Sequence, residues 1–84
     1  QQRPRTMGSE KTDHFMEMAL PHLDSAYNIA FWLMRDKSSA EDVVQEALLR
    51  ALTYFQSFDG RNARAWLLQI VRNTAYATLR QRHP

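Results

Sequence analysis

From Ser39 onward the apolar residues Ala40, Val43, Val44, Ala47, Leu48, Ala51, Leu52 and Phe55 recur at steps of three and four. That spacing keeps side chains on one face of a 3.6-residue turn, so it predicts an amphipathic helix from Ser39 to about Gln56. A serine hydroxyl accepts from an orphan N–H of a first turn, and Ser38 or Ser39 is the expected cap. Ser38 with Glu41 fits a capping box. Glu41 and Asp42 set negative charge at the positive end of the helix dipole. The opposite face carries Asp42, Gln45, Glu46 and Leu49. A leucine among acids and amides buries nothing within the domain and is available to a partner.

Three further segments have helical character. Asp13 to Leu20 holds Phe15, Met16, Met18, Ala19 and Leu20 and predicts a short first helix capped by Asp13. Pro21 then either kinks the chain or opens a new helix from its first turn. Leu23, Ala26, Tyr27, Ala30, Leu33 and Met34 form a core face ending near Arg35. Phe31 and Trp32 lie off that stripe. In so small a domain they are expected to pack on the short first helix, the alternative being an exposed patch for a partner. Arg35 to Ser38 reads as a polar joint. Ser57 to Arg61, with its Asp-Gly pair, reads as a turn, because glycine tolerates positive φ. Asn62 caps the last helix, Ala63 to about Arg82. Its expected core face is Ala63, Leu67, Ile70, Val71, Thr74 and Thr78. Beside it runs a second stripe of Trp66, Gln69, Asn73, Tyr76 and Arg80.

No period-two alternation is present, so the pattern predicts an all-α fold: a small helical bundle of three main helices plus a short N-terminal helix. Residues 1–12 are expected to be a flexible tail and residues 13–83 a single domain. At 84 residues, most apolar positions must serve the core. The chain has no cysteine, and its His14, His22 and His83 are too scattered for a zinc motif. No apolar run approaches the roughly 20 residues that span a bilayer, so a cytoplasmic protein is expected.

The net charge of +2 hides a segregation. Residues 7–59 hold all nine acids against four bases, whereas residues 60–84 hold Arg61, Arg64, Arg72, Arg80 and Arg82 and no acid. Such asymmetry points to two surfaces for two partners, or to two solvated helix faces. Catalysis has little support. A phosphate-binding glycine loop and a nucleophile motif are both missing. Asp42 and Glu46 share a face, but Arg50 follows Glu46 at the salt-bridge spacing and no further acid or histidine converges. The reading is of a non-enzyme with no cofactor and no metal.

Nucleic acid is better supported. The second stripe of the last helix mixes ring faces for stacking, amides for base edges and a guanidinium for phosphate, which is what an unpaired strand requires. Arg61 and Arg64 extend the positive surface, and the helix N-terminus adds backbone N–H groups. For Trp66 alone a core position is preferred. Asn73 has no helix-forming reason to sit in mid-helix among basic residues. Phe58 either staples the turn to the domain or belongs to a loop, Phe58 to Asn62, that receives an extruded base.

Ala40-Glu41-Asp42-Val43-Val44-Gln45-Glu46-Ala47, followed by Ala65-Trp66-Leu67-Leu68-Gln69-Ile70-Val71-Arg72-Asn73-Thr74, resembles region 2 of a bacterial sigma factor of the extracytoplasmic-function (ECF) type, sigma-70 family. The resemblance covers Phe15 to Arg82, and the two motifs together are specific where either alone is weak. It implies a helical bundle with two tasks. Asp42, Gln45, Glu46 and Leu49 would dock on the clamp helices of the largest catalytic subunit of core RNA polymerase. The last helix and the loop before it would open the promoter −10 element and hold its non-template strand. Phe58, Asp59, Gly60, Arg61 and Asn62 would receive a flipped base. Asn73 would lie near that pocket, and Arg72, Tyr76 and Arg80 would follow the strand; Trp66 and Gln69, from the stripe read above, complete the expected DNA-binding set. The aromatic cluster that primary sigma factors use for melting is thin here. The family also implies an anti-sigma partner and a second, helix-turn-helix domain (region 4) that this chain lacks, so the expectation is an isolated domain that binds weakly and does not start transcription alone. The competing reading is a helical protein-interaction module, adaptor or anti-sigma-like, without DNA binding. A double-stranded-DNA helix-turn-helix fits poorly, because the Ser57–Asn62 joint is too long and the helix before it too acidic.

Overall fold

The helix that carries the long apolar stripe, α3, spans Lys37–Thr53 in the computed structural model, which describes residues 7–82. Before it come α1 (Met7–Ala19), a 3₁₀ turn at Leu20–His22 and α2 (Leu23–Met34). After it come a second 3₁₀ turn at Phe55–Ser57 and α4 (Ala63–Arg82). The described residues form helices and turns without strands, the expected all-α bundle. The first helix begins six residues before the expected Asp13, so Met7 to Thr12 is helix rather than tail. Residues 1–6 of the expected tail, and residues 83 and 84, lie outside the described residues.

The core has two layers along the α3–α4 pair. In one, Ala26, Ala30 and Met34 of α2 meet Ala40, Val43, Val44 and Ala47 of α3 and Leu68, Val71 and Ala75 of α4. In the other, Phe15 and Ala19 of α1 meet Ala51 and Leu67, with Leu48, Leu52, Phe55, Trp66 and Ile70 packed around them. The α3 stripe is thus buried as its spacing predicts. On α4 the buried set is Leu67, Leu68, Val71, Thr74 and Ala75, while Ala63, Ile70 and Thr78 are only half-buried. The core face is therefore turned toward Leu68 and Ala75, because α4 must face α2 as well as α3. Thr74 is fully buried without penalty, since its hydroxyl donates to the Ile70 carbonyl at 2.8 Å. Among the described residues no buried side-chain polar atom lacks a partner.

The expected packing of Phe31 and Trp32 on the first helix does not occur. They are 51% and 70% exposed, and Tyr27, expected in the core, is also exposed. The reason is the path at Pro21. The 3₁₀ turn leads α1 on into α2 instead of folding it back, so α1 covers α3 and α4 and leaves the outer face of α2 bare. Trp32 is partly compensated by the Arg35 guanidinium, 5.6 Å from its ring centroid.

The joint between α2 and α3 also differs from expectation. The cap of α3 is Asp36, in extended backbone (φ −153°, ψ 129°), whose carboxylate accepts from the Ser39 N–H at 2.7 Å. Ser38 and Ser39 lie inside the first turn, so the Ser38–Glu41 capping box does not form. Ser39 is instead buried, and its hydroxyl accepts from Arg82 at 2.9 Å, tying the end of α4 to the start of α3. The Ser39 backbone N–H, then the Ser39 hydroxyl, and also the Arg82 charge hold the Asp36 carboxyl below the ordinary aspartate range. A carboxylate depressed in the folded state stabilises it fully above the unfolded pKa of about 3.9, and that stabilisation is lost as pH falls through the lower folded value.

Two outcomes follow for stability. Asp36→Ala lowers Tm at neutral pH, and the deficit against the parent closes as the pH is taken below about 4. Asp36→Asn keeps a neutral acceptor and loses the charge-dependent part, so it shows a smaller deficit at neutral pH that also closes in acid; circular dichroism melts across the acid range measure both. At Arg35 the chain is left-handed (φ 62°) while its N–H bonds to the Phe31 carbonyl at 2.7 Å, a helix end that favours glycine. Arg35→Gly removes backbone strain of about 1–2 kcal/mol and forfeits a cation–π contact of about 0.5–1 kcal/mol. The net expectation is a more stable protein, read as a higher urea midpoint at unchanged slope.

Candidate functional site

Two outward faces result from this packing. On α3, burying Ala40, Val43, Val44 and Ala47 turns Asp42, Gln45, Glu46 and Leu49 to solvent, Leu49 being 67% exposed. Glu46 accepts from the Arg50 guanidinium at 2.8 Å, a surface pair one helical turn apart. Beside Gln45 and Leu49 lies a groove of about 350 Å³ between α1 and α3, floored by Phe15, Met16, Leu48 and Leu52 and rimmed by Thr12. The sequence reading missed this groove, because it placed Thr12 in a tail and had no position for α1 against α3.

After α3 the chain makes its 3₁₀ turn and enters the loop Phe58 to Asn62. Phe58 is half-buried and stacks on Trp66, with centroids 4.5 Å apart and planes at 30°. Phe55 lies 6.2 Å from Phe58 and 6.4 Å from Trp66, and Phe15 of α1 meets Phe55 edge-on at 5.5 Å. Each aromatic pair adds about 0.5–1.5 kcal/mol beyond its buried area. This chain of rings anchors the loop's first residue to the second core layer. Phe58 is thus the staple that one reading of the sequence proposed, and Trp66 is half-buried against it.

Beyond Phe58 the loop is exposed and closed by its own polar groups. The Asp59 carboxylate accepts from the Arg61 backbone N–H at 2.9 Å and from the Arg61 guanidinium at 3.2 Å. Gly60, between them, has φ +85°, which an L side chain resists. Asn62 is left-handed at φ 52°, and its side-chain oxygen faces the Ala65 N–H at a long 3.4 Å, the cap position expected for α4.

Along α4, Gln69, Asn73, Tyr76 and Arg80 are exposed and Arg72 is half-buried. Gln69 donates from Nε2 to Asn73 Oδ1 at 3.1 Å, while Arg72 Nη1 reaches Gln69 Oε1 at 3.5 Å. Arg64 reaches Ser25 Oγ of α2 at 3.4 Å. Arg80 makes no hydrogen bond or ion pair among the described residues, and so keeps its donors for a ligand. Arg61 and Arg82 have partners inside the domain, which splits the basic segment into structural and unengaged cations. The arrangement offers donors, amides and one phenol ring along a helix, next to a rigid exposed loop. Among the described residues no cluster of His, Asp or Glu could hold a metal ion, and no helix is long and apolar enough to cross a membrane.

Residues 18–83 match the family model described as Sigma-70 region 2. The chain is 36% identical over 63 residues to the ECF RNA polymerase sigma factor SigX of Bacillus subtilis, covering 67% of this chain and 32% of the relative. It is 39% identical over 72 residues to the ECF RNA polymerase sigma factor EcfG of Rhodopseudomonas palustris, covering 84% of this chain and 40% of the relative. With SigW of Bacillus subtilis the identity is 30% over 73 residues, 86% of this chain and 39% of the relative. The chain thus spans well under half the length of these curated relatives. No solved structure gives a significant match. A helical domain with both sequence motifs on its exposed α3 and α4 faces, matched over nearly all its described length, belongs to the sigma-70 family as a region 2 domain of the ECF type.

Proposed function

We propose that this domain acts in transcription initiation: the acidic face of α3 docks on core RNA polymerase, and the face of α4 with the 58–62 loop captures the non-template strand of the promoter −10 element as it opens. The observation that carries the reading is the segregation of exposed chemistry on one core. Asp42, Gln45, Glu46 and Leu49 face outward from α3, and Gln69, Asn73, Tyr76 and Arg80 from α4. The polymerase contact is to the clamp helices of the largest catalytic subunit, with exposed Leu49 as the apolar centre among polar groups, the usual anatomy of a protein interface. The strand runs along Arg72, Asn73, Tyr76 and Arg80, and the loop from Phe58 to Asn62 receives an unstacked base. An anti-sigma protein is a further partner that family membership supports, and such a role places the protein in the cytoplasm.

Replacing Gln45 and Glu46 together by alanine abolishes capture of core RNA polymerase in a pull-down. The fold is retained within about 0.5 kcal/mol, since only an exposed ion pair is lost. Retained capture by the double variant rules out the α3 docking face. For the strand, Asn73→Ala costs about 1 kcal/mol of affinity for a −10 non-template oligonucleotide. Arg80→Ala weakens every oligonucleotide alike and reduces the slope of log K against log salt by about one. Binding of polymerase without binding of any single strand would favour the interaction-module reading instead.

A further inference from the structure

Half-buried Arg72 and the exposed Gln69 and Asn73 lie in series on α4, joined by one hydrogen bond and one contact at the limit of hydrogen-bond distance. Arg72 Nη1 reaches Gln69 Oε1 at 3.5 Å, and Gln69 Nε2 donates to Asn73 Oδ1 at 3.1 Å. A guanidinium has five donors and no acceptor, so it can only face the oxygen end of the Gln69 amide. That leaves the NH₂ end of Gln69 toward Asn73, and it can only face the oxygen end of the Asn73 amide. Asn73 is exposed, its oxygen is occupied, and its NH₂ group has no partner among the described residues. An asparagine free to rotate would offer a donor or an acceptor equally; this one is biased to offer a donor.

We infer that Gln69 is a positioning residue which, set by Arg72, fixes the Asn73 carboxamide with its NH₂ group outward, so that the site favours an unpaired base with a keto oxygen over one with an exocyclic amine. The inference rests on the strand-binding reading above and deepens it, by naming the class of base. Uracil and cytosine make the cleanest comparison. They differ at the 4-position, an acceptor oxygen in uracil and a donor NH₂ in cytosine, and with it at N3, which donates in uracil and accepts in cytosine. A donor on Asn73 directed at the 4-position pairs with uracil and meets another donor in cytosine.

Gln69→Glu is the decisive variant. A carboxylate only accepts, so it takes the Asn73 NH₂ group, keeps its contact with Arg72, and turns the Asn73 oxygen outward. The added negative charge weakens binding to every oligonucleotide, and the readout is therefore the ratio of affinities for uracil and cytosine at one position. Fluorescence anisotropy with labelled single-stranded oligonucleotides is run on the chain alone and with core RNA polymerase present. The position sensitive to Asn73→Ala is located first. There the parent favours uracil by about threefold or more, the weight of one net hydrogen bond. Gln69→Ala brings the ratio to near one, and Gln69→Glu reverses it toward cytosine. A uracil preference that survives both substitutions, or a parent without one, overturns the inference while leaving strand binding intact. If the parent binds no single strand in either setting, the strand-binding reading fails and the inference with it.

Discussion

The structure depends on close approach between helices, and alanine makes that approach possible. Ala26 and Ala30 of α2, Ala40, Ala47 and Ala51 of α3 and Ala75 of α4 are all essentially inaccessible to solvent. Interaxial separation is set by the side chains at the crossing, and small ones bring the axes toward the short end of the usual 8–10 Å. Between these alanines Val43, Val44 and Val71 fill one core layer and Leu67 the other, all fully buried, with little room for a larger residue. The rotation of each helix about its own axis is thereby fixed. Because the buried side of α3 is fixed, its acidic side must face out, and the same holds for the amide-and-arginine side of α4. The two surfaces proposed to bind polymerase and strand follow from the alanine seam.

The loop between α3 and α4 obeys a different constraint. It cannot bury its backbone, so it is held at both ends and closed in the middle. Phe58 is tied to Trp66 and Phe55 at one end, Asn62 begins the last helix at the other, and Asp59 binds Arg61 across Gly60. An acid in a loop proposed to approach phosphate is unfavourable by charge alone. Its place here is explained by what it holds, since it satisfies a backbone N–H and restrains a long cationic side chain. A loop shaped in advance loses less freedom when a ligand arrives, which matters where each stacked base contributes only about 1–3 kcal/mol.

The sequence made some of this legible and concealed the rest for physical reasons. The α3 stripe is legible because its buried residues, Ala40, Val43, Val44, Ala47 and Ala51, all recur on one face at steps of three and four. On α4 the expected face missed Leu68 and Ala75, because a helix packed between two neighbours buries a wider arc than a single stripe describes. The cap was assigned to Ser38 or Ser39 because local rules rank serine beside aspartate. Only the fold shows that Ser39 is drawn inward to meet Arg82, from 43 positions away. Phe31 and Trp32 were expected inside because aromatic residues usually are, and the path at Pro21 decided otherwise. At the proposed site, the exposure of Gln45, Glu46, Leu49, Asn73 and Arg80 was legible from periodicity. The Phe58–Trp66 stack, the Asp59–Arg61 closure and the direction of the Gln69–Asn73 bond were not, since each depends on side-chain geometry.

Charge explains how a nearly neutral domain can present two unlike surfaces. The molecule is 26 and 22 Å across its shorter axes, and the Debye length at physiological ionic strength is about 8 Å. Charges on the two helices that lie more than that apart are largely screened from each other, and the net charge of +2 describes neither face. The two faces should also differ in their response to salt. Strand capture on α4, as proposed, would release counterions from phosphate and weaken steeply as salt rises. The proposed docking on α3 would centre on exposed Leu49 and the adjoining apolar groove, where desolvation rather than long-range attraction would supply the free energy. On that reading one small bundle would stay bound to its protein partner over a range of salt in which it releases the strand.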